Sequence, residues 1–237
     1  MARMLSRIRD LIESVRTKEE EKRRMELNWL QAQINPHFMY NTLFSIKCSV
    51  DMGRNDEAGH MLTTFIQMLR GILSVQEEMV TVQAQMDALR QYVELQQFRY
   101  DGSFDALIEC DDQAAGCRIP KLLIQPLVEN AILHGVDMAA GDGMITVVAR
   151  RVGEAISIQV EDNGVGMTEA RIQEVMRPQV PSDRPHLGIR NIHDRIRLYF
   201  GSDWGLHIES TPGHGTRVTL RVPALEDVQP DGKETPC

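Results

Sequence analysis

The octapeptide VENAILHG, Val128 to Gly135, sets Asn130 and His134 four residues apart in an otherwise apolar run and closes on a glycine. Four residues is about one helical turn, so the two side chains share a face, and glycine is the residue type that ends such a helix. An asparagine oxygen suits Mg²⁺, a cation that takes few protein ligands and leaves the rest to phosphate and water. Alone, the stretch reads equally as an ordinary helix end. Three later segments share this double character. In VEDNGVGM, Val160 to Met167, Asp162 ends a strand and is followed by Gly164 and Gly166. A carboxylate able to accept an amine hydrogen bond then stands where backbone can approach a flat ligand closely, although a charged tight turn would look the same. HLGIRNIHDRIR carries Gly188 directly before a helix, whose free N–H groups and dipole favour phosphate. TPGHGTRVTL puts Gly213, Gly215 and Thr216 at the turn into a last strand. Each segment has a plain turn explanation; all four, in this order and separated by strands, point to one nucleotide site.

The surrounding pattern supplies those strands. From the composition change at DGSF onward, short β runs alternate with helices: FDALIEC, a helix through KLLIQPLVENAILHG, then MITVVARR and AISIQVED as a hairpin about Gly153. After the glycines come a short helix, a proline-rich stretch, the helix IRNIHDRIRLYF, and the strands GLHIES and RVTLRVP. This reads as an α/β sandwich with helices on one face of a mixed sheet.

The preceding part is helical throughout. Met4, Leu5, Ile8, Leu11, Ile12 and Val15 repeat at three and four, and a charged run leads to Leu27, Leu30, Ile34, His37, Asn41, Phe44 and Cys48 at heptad-like spacing. Met25, Trp29, Ala32, Tyr40, Leu43 and Val50 form a second apolar stripe. Gly53 to Asn55 make a turn, and Ala58, Met61, Leu62, Phe65, Ile66, Leu69 and Leu73 mark the returning helix. Two stripes exceed what one returning helix covers, so a dimeric four-helix bundle is expected. Inside the first helix lies INPHFMYN, Ile34 to Asn41, where Pro36 marks a helix end or a kink beside His37. A partly buried histidine next to a kink is the plain reading of that stretch.

The totals narrow the function. A formal net charge of −8 over 237 residues, with no basic stripe, excludes a nucleic-acid binder. The four cysteines (Cys48, Cys110, Cys117, Cys237) show no metal-ligand spacing and fit a reducing compartment. No run reaches the ~20 apolar residues of a membrane span, so the chain as given is expected to be soluble. The first 24 residues nevertheless carry eight Lys or Arg against five acids, as a cytoplasmic segment next to a membrane would.

Residues 121–222 resemble the ATP-binding domain shared by gyrase, MutL and histidine kinases, the GHKL or Bergerat fold. LQAQINPHFMYNTL and QPLVENAILHG resemble the phosphoacceptor segment and the asparagine box of LytS/YesM-type sensor histidine kinases, and together the matches run from about Glu20 to Pro223. The resemblance implies ATP and Mg²⁺ as cofactors: Asn130 as metal ligand, Asp162 and Thr216 against adenine, Gly164, Gly166 and Gly215 around the base, and His134 and Gly188 nearby. It implies that His37 is phosphorylated and that Asn41, one turn on, positions a water that dephosphorylates the regulator; a polar residue setting bundle register explains Asn41 equally. It further implies a homodimer, a response-regulator receiver domain as partner, and a membrane-anchored sensor region upstream.

The expected layout is α+β: a membrane-proximal signalling helix over 1–24, a helical dimerisation and phosphoacceptor domain over 25–100, the ATP-binding domain over 101–223, and a tail over 224–237. Several positions depart from the resemblance. Phe38 stands where an acid often follows the histidine, His186 replaces a glycine of the second glycine box, Leu133 replaces a common lysine, and Pro178, Pro181 and Pro185 occupy a short lid. Pro126 stands where gyrase and MutL carry a hydrolytic glutamate, which argues against an ATPase machine. The alternative to a kinase is a dimeric nucleotide-binding module that signals by conformation alone.

Overall fold

A computed structural model describes Arg7 and residues 36–73, 78–136, 141–177 and 189–226. Apart from Arg7, the expected signalling helix over 1–24 lies outside the described residues, as do the stripe positions before Pro36, His186, Gly188, the three lid prolines and residues 227–237.

Helix α1 (Pro36–Asp51) turns at Gly53, whose φ is 79°, into α2 (Asn55–Leu73). The buried edge of α1 is Phe38, Thr42, Ile46 and Ser49, which belongs to neither expected stripe. Tyr40 and Phe44 are 72% and 66% exposed, and Leu43, Val50, Leu62 and Ile66 are exposed beside them. The mismatch has a physical cause. Thr42 hides in the hairpin by returning its hydroxyl to the Phe38 carbonyl at 2.9 Å, so a polar residue occupies the covered side and the apolar ones are left outside.

Helix α3 (Val82–Arg99) follows the short strand β1 (Met79–Thr81), and the Thr81 hydroxyl accepts the Ala84 N–H as its N-cap. This helix was expected within the helical half; it touches both halves. One side meets the hairpin, through the rings of Phe38 and Tyr92 at 5.2 Å and through His60 Nε2 to Glu94 Oε1 at 2.7 Å. The other meets β2 (Phe104–Cys110), where Arg90 donates to the Ile108 carbonyl.

After the short helix α4 (Asp112–Ala115), strand β3 (Arg118–Pro120) pairs antiparallel with β1. The helix expected from Lys121 starts only at Gln125, as α5 (Gln125–Asn130). Buried Gln85 explains the delay: its Nε2 donates to the Pro120 carbonyl at 2.6 Å and its Oε1 accepts the Leu123 N–H at 3.1 Å, fixing a turn in which Leu122 has φ 60°. Pro126 then fits the first turn, where no N–H is needed.

The main sheet runs β2-β4-β5-β7-β6, with β2 and β4 parallel and all other neighbours antiparallel. Its further members are β4 (Gly143–Val152), β5 (Ala155–Asp162), β6 (Gly205–Ser210) and β7 (Thr216–Pro223). Ile145, Val147, Ala149, Ile156, Ile158, Val160, Val218, Leu220 and Val222 line the inner face, alternating with polar residues outside. Helix α7 (Ile189–Phe200) buries Ile189, Ile192 and Ile196 over β6 and β7, and α6 (Glu169–Val175), capped by the Thr168 hydroxyl, lies at the site end. Residues 224–226, expected in the tail, are held: Ala224 donates to Glu154, Leu225 accepts the Arg118 N–H, and Glu226 pairs with Arg151.

His193 on α7 locks that helix to β6. Its Nδ1 accepts the Leu206 N–H at 3.1 Å, and Gly205 lies so close that a Cβ there would stand 2.7 Å from the ring. Burial, then Arg190 and Arg197 against the opposing Asp194, holds its pKa below the ordinary 6.5. The folded state therefore binds fewer protons than the unfolded one in this window. The stabilisation is present above pH 6.5 and is lost as pH falls towards the lowered pKa. Urea unfolding at pH 5 and 7.5 should show this slope, and His193→Gln, whose amide oxygen can still accept from Leu206, should flatten it; an equal slope in that variant removes the assignment.

Candidate functional site

Strand pairing sets three polar residues side by side at one end of the inner face, because Asp162 faces Thr216 across β5 and β7, and Thr216 faces Ser210 across β7 and β6. Asp162 is 6% exposed, and its Oδ1 accepts the Gly164 N–H at 3.0 Å. Burial raises its pKa more than the Gly164 and Thr216 backbone N–H groups lower it. A shielded carboxylate held by backbone donors gains from a further donor, such as a ligand amine.

Ser210 was not expected here. Its hydroxyl donates to the Gly215 carbonyl at 2.8 Å, accepts the Met167 N–H at 2.7 Å and lies 2.9 Å from the Thr216 hydroxyl. A serine has one proton to give, so Thr216 donates in that last bond and keeps its lone pairs for a ligand. Only the strand register could have pointed to Ser210.

Above this row α5 ends in a π turn, Ala131–Gly135, closed by the Val136 N–H on the Ala131 carbonyl at 2.9 Å. Asn130 and His134 thus flank a widened turn rather than a regular helical one; His134 is exposed and the Nδ2 of Asn130 is buried without a hydrogen-bond partner. The π turn brings Gly135 onto Asp162, where a Cβ would stand 2.6 Å from the carboxyl carbon. The Gly135 carbonyl accepts the Val165 N–H, and a Gly164 Cβ would fall 1.6 Å from that carbonyl oxygen. A Cβ at Gly215, φ 86°, would fall 1.8 Å from the Asp162 carbonyl oxygen, and one at Gly166, φ 65°, 2.1 Å from that of Thr211. Four glycines therefore let three backbone segments converge where no side chain fits. Gly135 was read as a helix end; its contact with Asp162 had no sequence signal beyond the glycine itself. Asn163 was also missed. It donates to the Asp142 carbonyl and accepts the Met144 N–H, both at 2.8 Å, tying the site loop to the start of β4.

At the far side of α3, His37 is exposed on α1, and the Asn41 amide nitrogen lies 3.1 Å from its Nε2 and 3.3 Å from its Nδ1. The structure thus collects Asn130, His134, Asp162, Gly164, Gly166, Gly215 and Thr216 at one end of the sheet and leaves His37 and Asn41 together on the hairpin.

Comparison with known proteins agrees with this division. Residues 25–104 match the histidine kinase family, and residues 118–226 match the histidine kinase-, DNA gyrase B- and HSP90-like ATPase family. The sensor histidine kinase YesM of Bacillus subtilis (strain 168) is 35% identical over 225 residues, which are 95% of this chain and 38% of that protein. The sensor histidine kinase YpdA of Escherichia coli (strain K12) is 31% identical over 86% of this chain and 35% of its own. The sensor protein kinase HptS of Staphylococcus aureus (strain USA300) is 31% identical over 90% of this chain and 41% of its own. The chain belongs to the sensor histidine kinase family, and it spans about two fifths of the length of these relatives. The nucleotide-free catalytic domain of the histidine kinase ThkA shares the fold, with a TM-score of 0.50 at 15% identity over 62% of this chain and 97% of that one. Among the described residues no helix is long and apolar enough to cross a membrane.

The glycine geometry yields a graded expectation. Gly164→Ala forces a Cβ into backbone and should lower unfolding stability by about 1–3 kcal/mol or more through overpacking. Gly213→Ala, at φ 77° with nothing within 4 Å, meets only backbone strain and should cost about 1–2 kcal/mol. Chemical denaturation of the two variants measures the order; a Gly164 variant as stable as the Gly213 variant contradicts the packing described.

Proposed function

We propose that this chain is the kinase core of a two-component sensor, phosphorylating His37 from ATP and passing the phosphoryl group to an aspartate of a response-regulator receiver domain. The observation that carries the reading is the pairing of an exposed histidine on a helical hairpin with a separate, glycine-lined end of a sheet where Asp162 and Thr216 sit side by side across β5 and β7. In this reading Asp162 accepts the adenine amine, and Gly164, Gly166 and Gly215 let the base lie against backbone. His134 stands beside Asn130, and Gly188 precedes the α7 N-terminus next to the phosphates.

The buried, unpartnered amide nitrogen of Asn130 is a donor that an oxygen of a bound phosphate would satisfy, which supports a ligand at this position. Its other end, the oxygen, is the donor for Mg²⁺. Bound there with the triphosphate, Mg²⁺ would supply charge neutralisation on the phosphates. Asn130 orients it, Asp162 orients the base, and the π turn keeps the two at a fixed separation.

At His37 a neutral ring nitrogen attacks the γ-phosphorus in line. The N–P bond forms as the bond to the β,γ-bridging oxygen breaks, ADP leaves with that electron pair, and the proton on the other ring nitrogen passes to solvent. In the second step the N–P bond breaks as an aspartate oxygen of the receiver domain binds phosphorus. The exposed row Tyr40, Leu43, Phe44, Val50, Leu62 and Ile66 supports a homodimeric four-helix bundle, which sedimentation equilibrium at micromolar concentration tests. The relatives' greater length and the basic first 24 residues support an anchored sensor region outside this chain, tested by membrane fractionation of the full-length product.

Incubation with labelled ATP and Mg²⁺ should give acid-labile, alkali-stable label that His37→Ala abolishes while nucleotide affinity stays within about two-fold. Asn130→Ala should weaken binding only when metal is present, which calorimetry with and without EDTA reads. Label that persists without His37 sinks the assignment; equal losses in both calorimetry conditions remove the metal role.

The Asn41 amide, in reach of the His37 ring, is proposed to hold a water for dephosphorylation of the regulator, since it donates and accepts at once. Asn41→Ala should keep His37 labelling and the dimer and lose regulator dephosphorylation. Unchanged dephosphorylation, or a dissociated dimer, refutes this role.

A further inference from the structure

The residue next to His37 does something that the reading above leaves unused. Phe38 is 7% exposed, and its ring meets that of Tyr92 at 5.2 Å with an interplanar angle of 36°. Tyr92 belongs to α3 and is 1% exposed; its hydroxyl accepts a hydrogen bond from Gln96 at 2.6 Å, and Gln96 is itself buried. The same helix reaches the approach to α5 through Gln85, which bonds the Pro120 carbonyl and the Leu123 N–H. Helix α3 therefore connects to the hairpin through the Phe38–Tyr92 pair and to the segment ahead of Asn130 through Gln85.

The seat is not a shallow contact made for release. Phe38, Ile46, Phe65, Tyr92, Phe104 and the inner face of the sheet form one continuous buried cluster. Successive residues on a helix point about 100° apart, so fixing Phe38 inward fixes the rotation of α1 and with it the direction in which His37 leaves the helix. An acid at position 38 could polarise the histidine but would have no place against this apolar face.

Resting on the reading of His37 as phosphoacceptor, we propose that Phe38 and Tyr92 are positioning residues for the phosphoryl transfer: their contact sets the rotation of α1 relative to the nucleotide site. Neither touches the reacting atoms. Their effect appears in the rate at saturating ATP and not in nucleotide affinity. The ring of Tyr92 carries the function, and its hydroxyl, tied to Gln96, holds the ring in place.

The test uses the whole chain with labelled ATP and Mg²⁺, comparing Phe38→Ala, Tyr92→Ala, the double variant and Tyr92→Phe. Each alanine variant should label His37 about 10- to 100-fold more slowly at saturating ATP, the range expected for a displaced reacting group, with the ATP dissociation constant within about two-fold. The double variant should be no slower than the slower single one, because both remove the same contact. Tyr92→Phe, which keeps the ring, should restore most of the rate. Additive losses, a rate unchanged or raised, or an ATP affinity that falls in step with the rate would overturn the proposal. Where an alanine variant does not fold, Phe38→Leu and Tyr92→Leu, which leave a smaller void than alanine and still lose the flat ring, give the same comparison. A wild-type chain that takes no label at His37 defeats the phosphoacceptor reading and this proposal with it; a labelled wild type with unaffected variants defeats this proposal alone.

Discussion

The close meeting of Gly135, Gly164 and Gly215 around the Asp162 carboxylate is the constraint from which the rest of the nucleotide domain follows. Backbone from α5, from the loop after β5 and from the entry to β7 approaches within distances that exclude even a methyl group. Such convergence has to be closed by hydrogen bonds, and it is, through Val165 to Gly135, Gly164 to Asp162 and the Ser210 hydroxyl to Gly215. The carboxylate is then a structural acceptor whose proton affinity is raised by burial.

The sequence made this domain legible because its strands alternate cleanly and its glycines fall at turns, two local signals that need no tertiary knowledge. FDALIEC, AISIQVED, GLHIES and RVTLRVP all form strands, and the hairpin turns at Gly153. What stayed hidden depended on partners distant in the chain. Gln85 delays α5 from 35 residues away, and nothing in KLLIQPLVENAILHG announces it. Ser210 looks like any polar strand end until the register places it beside Thr216. The α1 stripes misled for a different reason: ranking positions by apolarity passed over Thr42 and Ser49, and the Thr42 hydroxyl can be covered because the Phe38 carbonyl accepts it. The apolar residues left outside are the ones that a second copy of the hairpin would cover.

Helix α3 touches both halves: its Tyr92 and Glu94 face the hairpin while its Arg90 donates to β2. The exposed pair His60 and Glu94 contributes little energy at the surface. The buried aromatic pair carries the connection, and the polar groups around it set direction more than strength.

The π turn after Asn130 also bears on how sequences of this kind can drift in length. A π turn contains one residue more than the α turn it replaces, so the helix holds an insertion that the glycines around Asp162 have absorbed. Loss of one residue between Ala131 and Gly135 would let the helix relax to regular pitch and rotate Asn130 by about 100° relative to Gly135. The site therefore ties chain length, and not only residue identity, to the spacing between the amide and the carboxylate. A one-residue change in this turn would therefore shift Asn130 relative to Asp162.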